Sequence, residues 1–124
     1  MATHDAPLKR LLAALTEIDA AARDNLERSR QLQRRSRKLR QRLEAGGNLV
    51  ELVEAEDTPR MVELISTNLA TLETAGAEFR AAEALALRAQ GLTIEAIAEL
   101  FGVTRQRISA LLKQKAAVRI DVEQ

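Results

Sequence analysis

Residues 100–109 read Leu-Phe-Gly-Val-Thr-Arg-Gln-Arg-Ile-Ser (LFGVTRQRIS). An apolar run stops at Gly102, passes through Val103 and Thr104, and resumes as Arg-Gln-Arg. A helix that only packs against a neighbour needs no such break. Two helices meeting at a sharp turn do, because the turn residue must adopt a left-handed backbone that glycine tolerates best. A surface that must approach phosphates has the same need.

The flanking residues favour the first account and leave the second open. In GLTIEAIAELFGVTRQRISALLKQK, residues 91–115, Gly91 ends a preceding helix and Thr93 caps the next. Ile94, Ile97, Ala98 and Phe101 then fall on one helical face. Ala98 is small where a second helix must come close. Val103 reads as the apolar plug of the turn and Thr104 as the cap of the following helix. The inward face of that helix is Ile108, Leu111 and Leu112. The preceding FRAAEALALRAQ, residues 79–90, supplies a third helix to cover this core. On a helical wheel Gln106, Ser109, Ala110 and Lys113 point away from it, flanked by Arg105 and Arg107. A basic, hydrogen-bonding face at the start of such a helix suits a major groove. A trihelical module used only for protein contact is the competing reading.

The segment TIEAIAELFGVTRQRISALL resembles the promoter-reading helix-turn-helix of the sigma-70 factors, region 4, with VTRQRI the closest part. The resemblance runs from about residue 80 to 115. It departs from that family at Ser109 and Ala110, where housekeeping sigma factors carry long polar side chains. Similar modules occur in recombinases and bacterial regulators. The resemblance implies contact with double-stranded DNA. With the wheel it nominates Thr93, Thr104, Arg105, Gln106, Arg107, Ser109 and Lys113 as DNA-binding residues, and RNA polymerase or other transcription proteins as further partners.

Residues 1–75 match no part of a sigma factor. Leu8, Leu11, Leu15, Ile18, Ala22, Asn25, Ser29, Leu32, Ser36, Leu39 and Leu43 recur at alternating spacings of three and four, an unbroken heptad pattern. Asp5 is expected to cap this helix, with Pro7 in its first turn and Gly46-Gly47 at its end. At 1.5 Å per residue, residues 5–45 extend about 60 Å, too far for a thin stripe to support alone. NLVELVEAED, residues 48–57, suggests a short helix. Thr58 and Pro59 are expected to open a longer one, continuous or mildly bent at Gly76 and ending at Gly91. Its apolar series is Met61, Ile65, Asn68, Leu72, Ala75, Phe79 and Ala82.

A hairpin about the glycine pair brings together residues whose numbers sum to about 93. Asn25 then lies opposite Asn68, where the two amides can satisfy each other. Leu12, Leu26, Val62 and Leu69 are left as apolar surface, which a two-fold dimer would cover.

Charge is segregated. Residues 1–47 carry 11 basic and 6 acidic side chains, and residues 48–90 carry 3 and 8. Residues 28–42 hold eight basic residues and no acid. A solvated face paired with Glu51, Glu54, Glu56 and Asp57 is the plainer account of that run, and a phosphate-binding stripe the other.

Composition excludes other classes. There is no cysteine, hence no disulfide or thiolate metal site, and only Phe79 and Phe101 are aromatic, which argues against base stacking. The single histidine, His4, lies close to the terminus, and no nucleophile has a base partner. Glu17 and Asp19 interrupt the N-terminal apolar stretch, so no signal peptide is expected, and no run is long enough to span a membrane.

The resulting expectation is an all-α chain. Residues 1–75 form a helical hairpin for oligomerisation, 76–116 a helix-turn-helix module, and 117–124 a tail. The chain is expected to be a cytoplasmic, nucleoid-associated, non-enzymatic double-stranded DNA-binding protein without cofactor. Its role would be transcription regulation or nucleoid organisation, as a homodimer and away from membranes. A protein-interaction module and a recombinase-type accessory factor are the alternatives.

Overall fold

Three of the five glycines have positive φ, and all three close helices. The computed structural model describes residues 2–115, with the backbone alone for residues 2–5. The tail at 117–124 lies outside the described residues. Five helices follow in order: α1 (Ala2–Glu44), α2 (Leu49–Glu54), α3 (Met61–Ala89), α4 (Ile94–Phe101) and α5 (Arg105–Lys113). The fold class is all-α, as the periodicities predict.

The end of α1 shows why the glycine pair is there. Gly46 has φ +92°, its N–H donates to the Leu43 carbonyl at 3.0 Å, and the Gly47 N–H donates to the Arg42 carbonyl at 2.9 Å. This crossed pair satisfies carbonyls that the helix end would otherwise orphan. A Cβ on Gly47 would sit 2.9 Å from the Arg42 carbonyl oxygen, so a side chain there would force the turn open.

Two expected helix starts are corrected. α1 already runs from Ala2, so Asp5 does not cap it, and Pro7 lies inside the helix, where its missing N–H forgoes one backbone bond. α3 begins at Met61 rather than at Thr58-Pro59. Its first N–H groups are taken by carboxylates instead of a hydroxyl: Glu63 Oε1 accepts from the Arg60 N–H at 2.6 Å, and Glu56 Oε1 from the Met61 N–H at 3.0 Å. Acid here also complements the positive end of the helix. α2 is capped by Asn48, whose side chain accepts from the Glu51 N–H at 2.9 Å.

The chain divides into two compact units. One is residues 20–73; the other is the described residues up to 19 and from 74 on. In the first, the facing side of α1 is Ala21, Asn25, Arg28, Leu32, Arg35 and Leu39, and that of α3 is Met61, Leu64, Asn68 and Thr71, all buried or half-buried. The expected heptad is thus half right. Asn25, Leu32, Leu39, Met61 and Asn68 lie on it, but Ala22, Ser29, Ser36, Ile65 and Leu72 are exposed, each one residue beyond the true position. Small Ala21 lets the helices approach, and Arg28 and Arg35 lie inward because their guanidinium groups find acceptors.

The polar layer of this unit is a network. Asn25 Nδ2 donates to the Asn68 backbone carbonyl at 3.0 Å. Arg28 donates to Asn68 Oδ1 at 2.7 Å and to Asn25 Oδ1 at 2.9 Å, and Asn68 Nδ2 donates to Ser29 Oγ at 3.2 Å. The expected pairing of Asn25 with Asn68 therefore holds in position. The expectation that the two amides satisfy each other is corrected, because Arg28 is wedged between them. Arg35 reaches the carbonyls of Asp57 at 3.1 Å and Pro59 at 2.6 Å. Two of the eight basic residues in the run at 28–42 are therefore structural.

The other unit holds the apolar core. Ala81, Ala84, Ile97, Ala98, Ile108 and Leu111 form its buried centre, with Leu87, Leu92, Ile94, Phe101 and Leu112 packed around it. Ile97 and Ile108 are completely buried. Alanines on α3 provide a flat floor on which α4 and α5 pack closely.

Candidate nucleic-acid interface

Both helices of the C-terminal pair start on a threonine. Thr93 Oγ1 accepts from the Ala96 N–H and Thr104 Oγ1 from the Arg107 N–H, each at 3.1 Å. Gly102 adopts φ 68°, ψ 35° between them, and the next residue's N–H donates to the Ala98 carbonyl at 3.0 Å. The chain thereby turns from α4 into α5 within three residues, and residues 102–107 are exposed. Val103 is not the plug of this turn. It is 41% exposed, and its backbone rather than its side chain closes the motif.

The inward face of α5 is Ile108 and Leu111, with Leu112 half-buried beside them. The opposite face carries Arg105, Gln106, Arg107, Ala110 and Lys113, all exposed, while Ser109 is half-buried at its edge. Thr93 and Thr104 are exposed as residues, but their hydroxyls accept bonds as caps. Thr104, Arg105, Gln106 and Arg107 lie at the N-terminal end of α5, and Lys113 is its last residue. Thr93 caps α4, two residues before Glu95.

Two features escaped the sequence. Arg105 is tied to Glu95 of α4 by an ion pair at 3.3 Å, both side chains being largely exposed. Such a pair is worth little to stability, yet it orients the guanidinium. The second is Arg10. Its Nε donates to Glu78 Oε2 at 2.8 Å, one terminal nitrogen to Glu78 Oε1 at 3.0 Å, and the other to the Gln114 carbonyl at 3.1 Å. This forked contact pins the end of α5 to α1 and α3. The hydrogen bonds that Arg10 donates to Glu78, and the charge of that carboxylate, raise the guanidinium above its ordinary value, with desolvation opposing. The one sequence signal was a single arginine ahead of an apolar stretch, which carries no indication of a partner 68 residues away.

Three packed helices, two threonine caps and a left-handed glycine define a helix-turn-helix module. In agreement, residues 77–116 match the family described as Homeodomain-like domain. No curated protein and no solved structure matches the chain. Among the described residues, no helix is long and apolar enough to cross a membrane.

Proposed function

We propose that the chain binds double-stranded DNA and reads the major groove with the helix at 104–115, as a bacterial transcriptional regulator or nucleoid-associated factor. The observation that carries this reading is the face of α5. Arg105, Gln106, Arg107 and Lys113 project from a sealed core with no large apolar side chain among them. Gln106 presents both a donor and an acceptor, the pattern that pairs with adenine, while the arginines suit phosphate or the acceptor edge of guanine. Thr93, Thr104 and Ser109 add hydrogen-bonding groups at the margins. Residues 76–116 would carry the DNA contact, and residues 1–75 assembly into a homodimer, which would present two such helices to a pseudo-palindromic site.

Gel shifts with random duplex at two salt concentrations test the reading. Binding should weaken with salt, since phosphate contacts release counterions. Gln106→Ala should change which sequences are preferred, by about 1–3 kcal/mol at the contacted base pair. Replacing an arginine that touches phosphate should weaken all sequences alike and flatten the salt slope by about 1. Unchanged duplex binding by folded variants at Arg105, Gln106 and Arg107 would rule the assignment out.

A second reading has one observation in its favour. Leu100 and Val103 are exposed apolar side chains at the turn of the module. A sigma-like contact with RNA polymerase or another transcription protein would cover them. Leu100→Ser that keeps duplex binding but abolishes such capture would support it.

A further inference from the structure

The unit at 20–73 carries a second apolar stripe that its own helices leave uncovered. On α3 it is Val62, Ile65, Leu69 and Leu72, spaced three, four and three residues apart. On α1 it is Ala22 and Leu26. The five large side chains in this set are 45–69% exposed. Each of the six positions follows by one residue a position of the facing stripe: Ala21, Asn25, Met61, Leu64, Asn68 and Thr71. One residue turns a side chain by about 100° around a helix. Because α1 and α3 run in opposite directions, the same step turns both sets to the same side of the hairpin. The unit therefore has one two-helix apolar face, built at coiled-coil spacing, with on the order of 500 Å² of apolar surface, a size at which patches on single chains are commonly functional.

We propose that this face docks a second copy of the chain, as a four-helix bundle in which α1 of each copy lies over α3 of the other. The inference rests on the homodimer reading above and adds its surface and symmetry. Three observations select this occupant. First, two such faces together bury about 1,000 Å², which reaches the lower bound for a specific interface. Second, the spacing on α3 is what helix-on-helix packing requires. Third, the charges choose the orientation. Residues 20–44 hold nine basic and three acidic side chains, and residues 48–73 one basic and six acidic. A two-fold axis across the helices would stack α1 on α1, like charge on like. A two-fold axis along them lays basic α1 on acidic α3 and makes every neighbouring pair antiparallel, as in up-down bundles.

The test uses the full chain and its lack of cysteine. Sedimentation at tens of micromolar should show a dimer. Leu69→Glu should raise its dissociation constant at least about a hundredfold, since the interface would have to bury two carboxylates among apolar side chains. The helicity should stay unchanged, because Leu69 is exposed in the single chain. Arg30 and Ser66 lie within about one helical turn of each other in height, on opposite edges of the face. A mixture of the Arg30→Cys and Ser66→Cys variants should cross-link with a short bis-maleimide, and neither variant should cross-link by itself. A chain that is monomeric would overturn both this proposal and the homodimer reading. A dimer indifferent to Leu69→Glu would overturn the proposed surface alone. Self-cross-linking of Arg30→Cys would overturn the arrangement of α1 over α3. Duplex binding measured in parallel reports on the DNA reading independently.

Discussion

The helix-turn-helix core and the unit at 20–73 solve the same problem, holding helices together, in opposite ways. In the module the apolar side chains are inside: Ile97, Ile108 and Leu111 are sealed, and the two threonine hydroxyls serve as caps. In the unit at 20–73 the facing surfaces mix Leu32, Met61 and buried Leu64 with Asn25, Arg28, Asn68 and Thr71, while Leu26, Val62, Ile65, Leu69 and Leu72 face outward. One region is stabilised by burial, which is non-directional and strong. The other is held in register by hydrogen bonds, which contribute less but discriminate sharply between alignments. A polar seam also fixes which residues meet, and leaves the apolar surface available for another partner.

The comparison can be broken first at the buried centre. Ile108→Ala should cost about 2–5 kcal/mol in urea unfolding, because it opens a cavity in a core with no slack. Loss of under 1 kcal/mol would mean the module is not packed as described. Next comes the polar layer. Arg28→Ala should destabilise by roughly 1–3 kcal/mol, since Asn68 Oδ1 and Asn25 Oδ1 both lose their donor. Replacing Asn25 and Asn68 together with Leu should also destabilise, because Arg28 would then face apolar groups. Wild-type stability in that double variant would show that the polar network is dispensable. The turn ranks third. Gly102→Ala should cost about 1–2 kcal/mol through the left-handed backbone alone, as open space surrounds the missing Cβ. The smallest effect belongs to the exposed pair. Arg105→Ala should leave thermal stability within about 0.5 kcal/mol, while weakening binding to duplex DNA. A large change in stability would place Arg105 in the fold rather than at the interface.

Legibility in the sequence followed the same division. The helix-turn-helix segment was readable because its signals are local: threonine caps, a glycine at the reversal, and apolar residues at helical spacing within 25 residues. Val103 was the exception, since its apolar side chain suggested burial while its backbone does the work. The long helices were readable in kind and in rough register, as the meeting of Asn25 with Asn68 shows. The choice of face was not. Counting apolar residues favoured Ile65 and Leu72 over Leu64 and Thr71, because periodicity cannot tell a stripe that faces its own hairpin from a neighbouring one left outside.

The sequence by itself determined the all-helical class, the glycine turns, the module at the C-terminal side and the nominated face of α5, since each depends on residues within a few turns of one another. Only the tertiary structure decided that Arg10 grips Glu78 and the end of α5, that Arg28 and Arg35 turn inward, that Glu56 and Glu63 rather than Thr58 cap α3, and which apolar stripe stays bare. The reason is physical. A long charged side chain goes wherever it finds acceptors. Those acceptors come from residues brought near only when the chain folds, so local spacing carries no record of them.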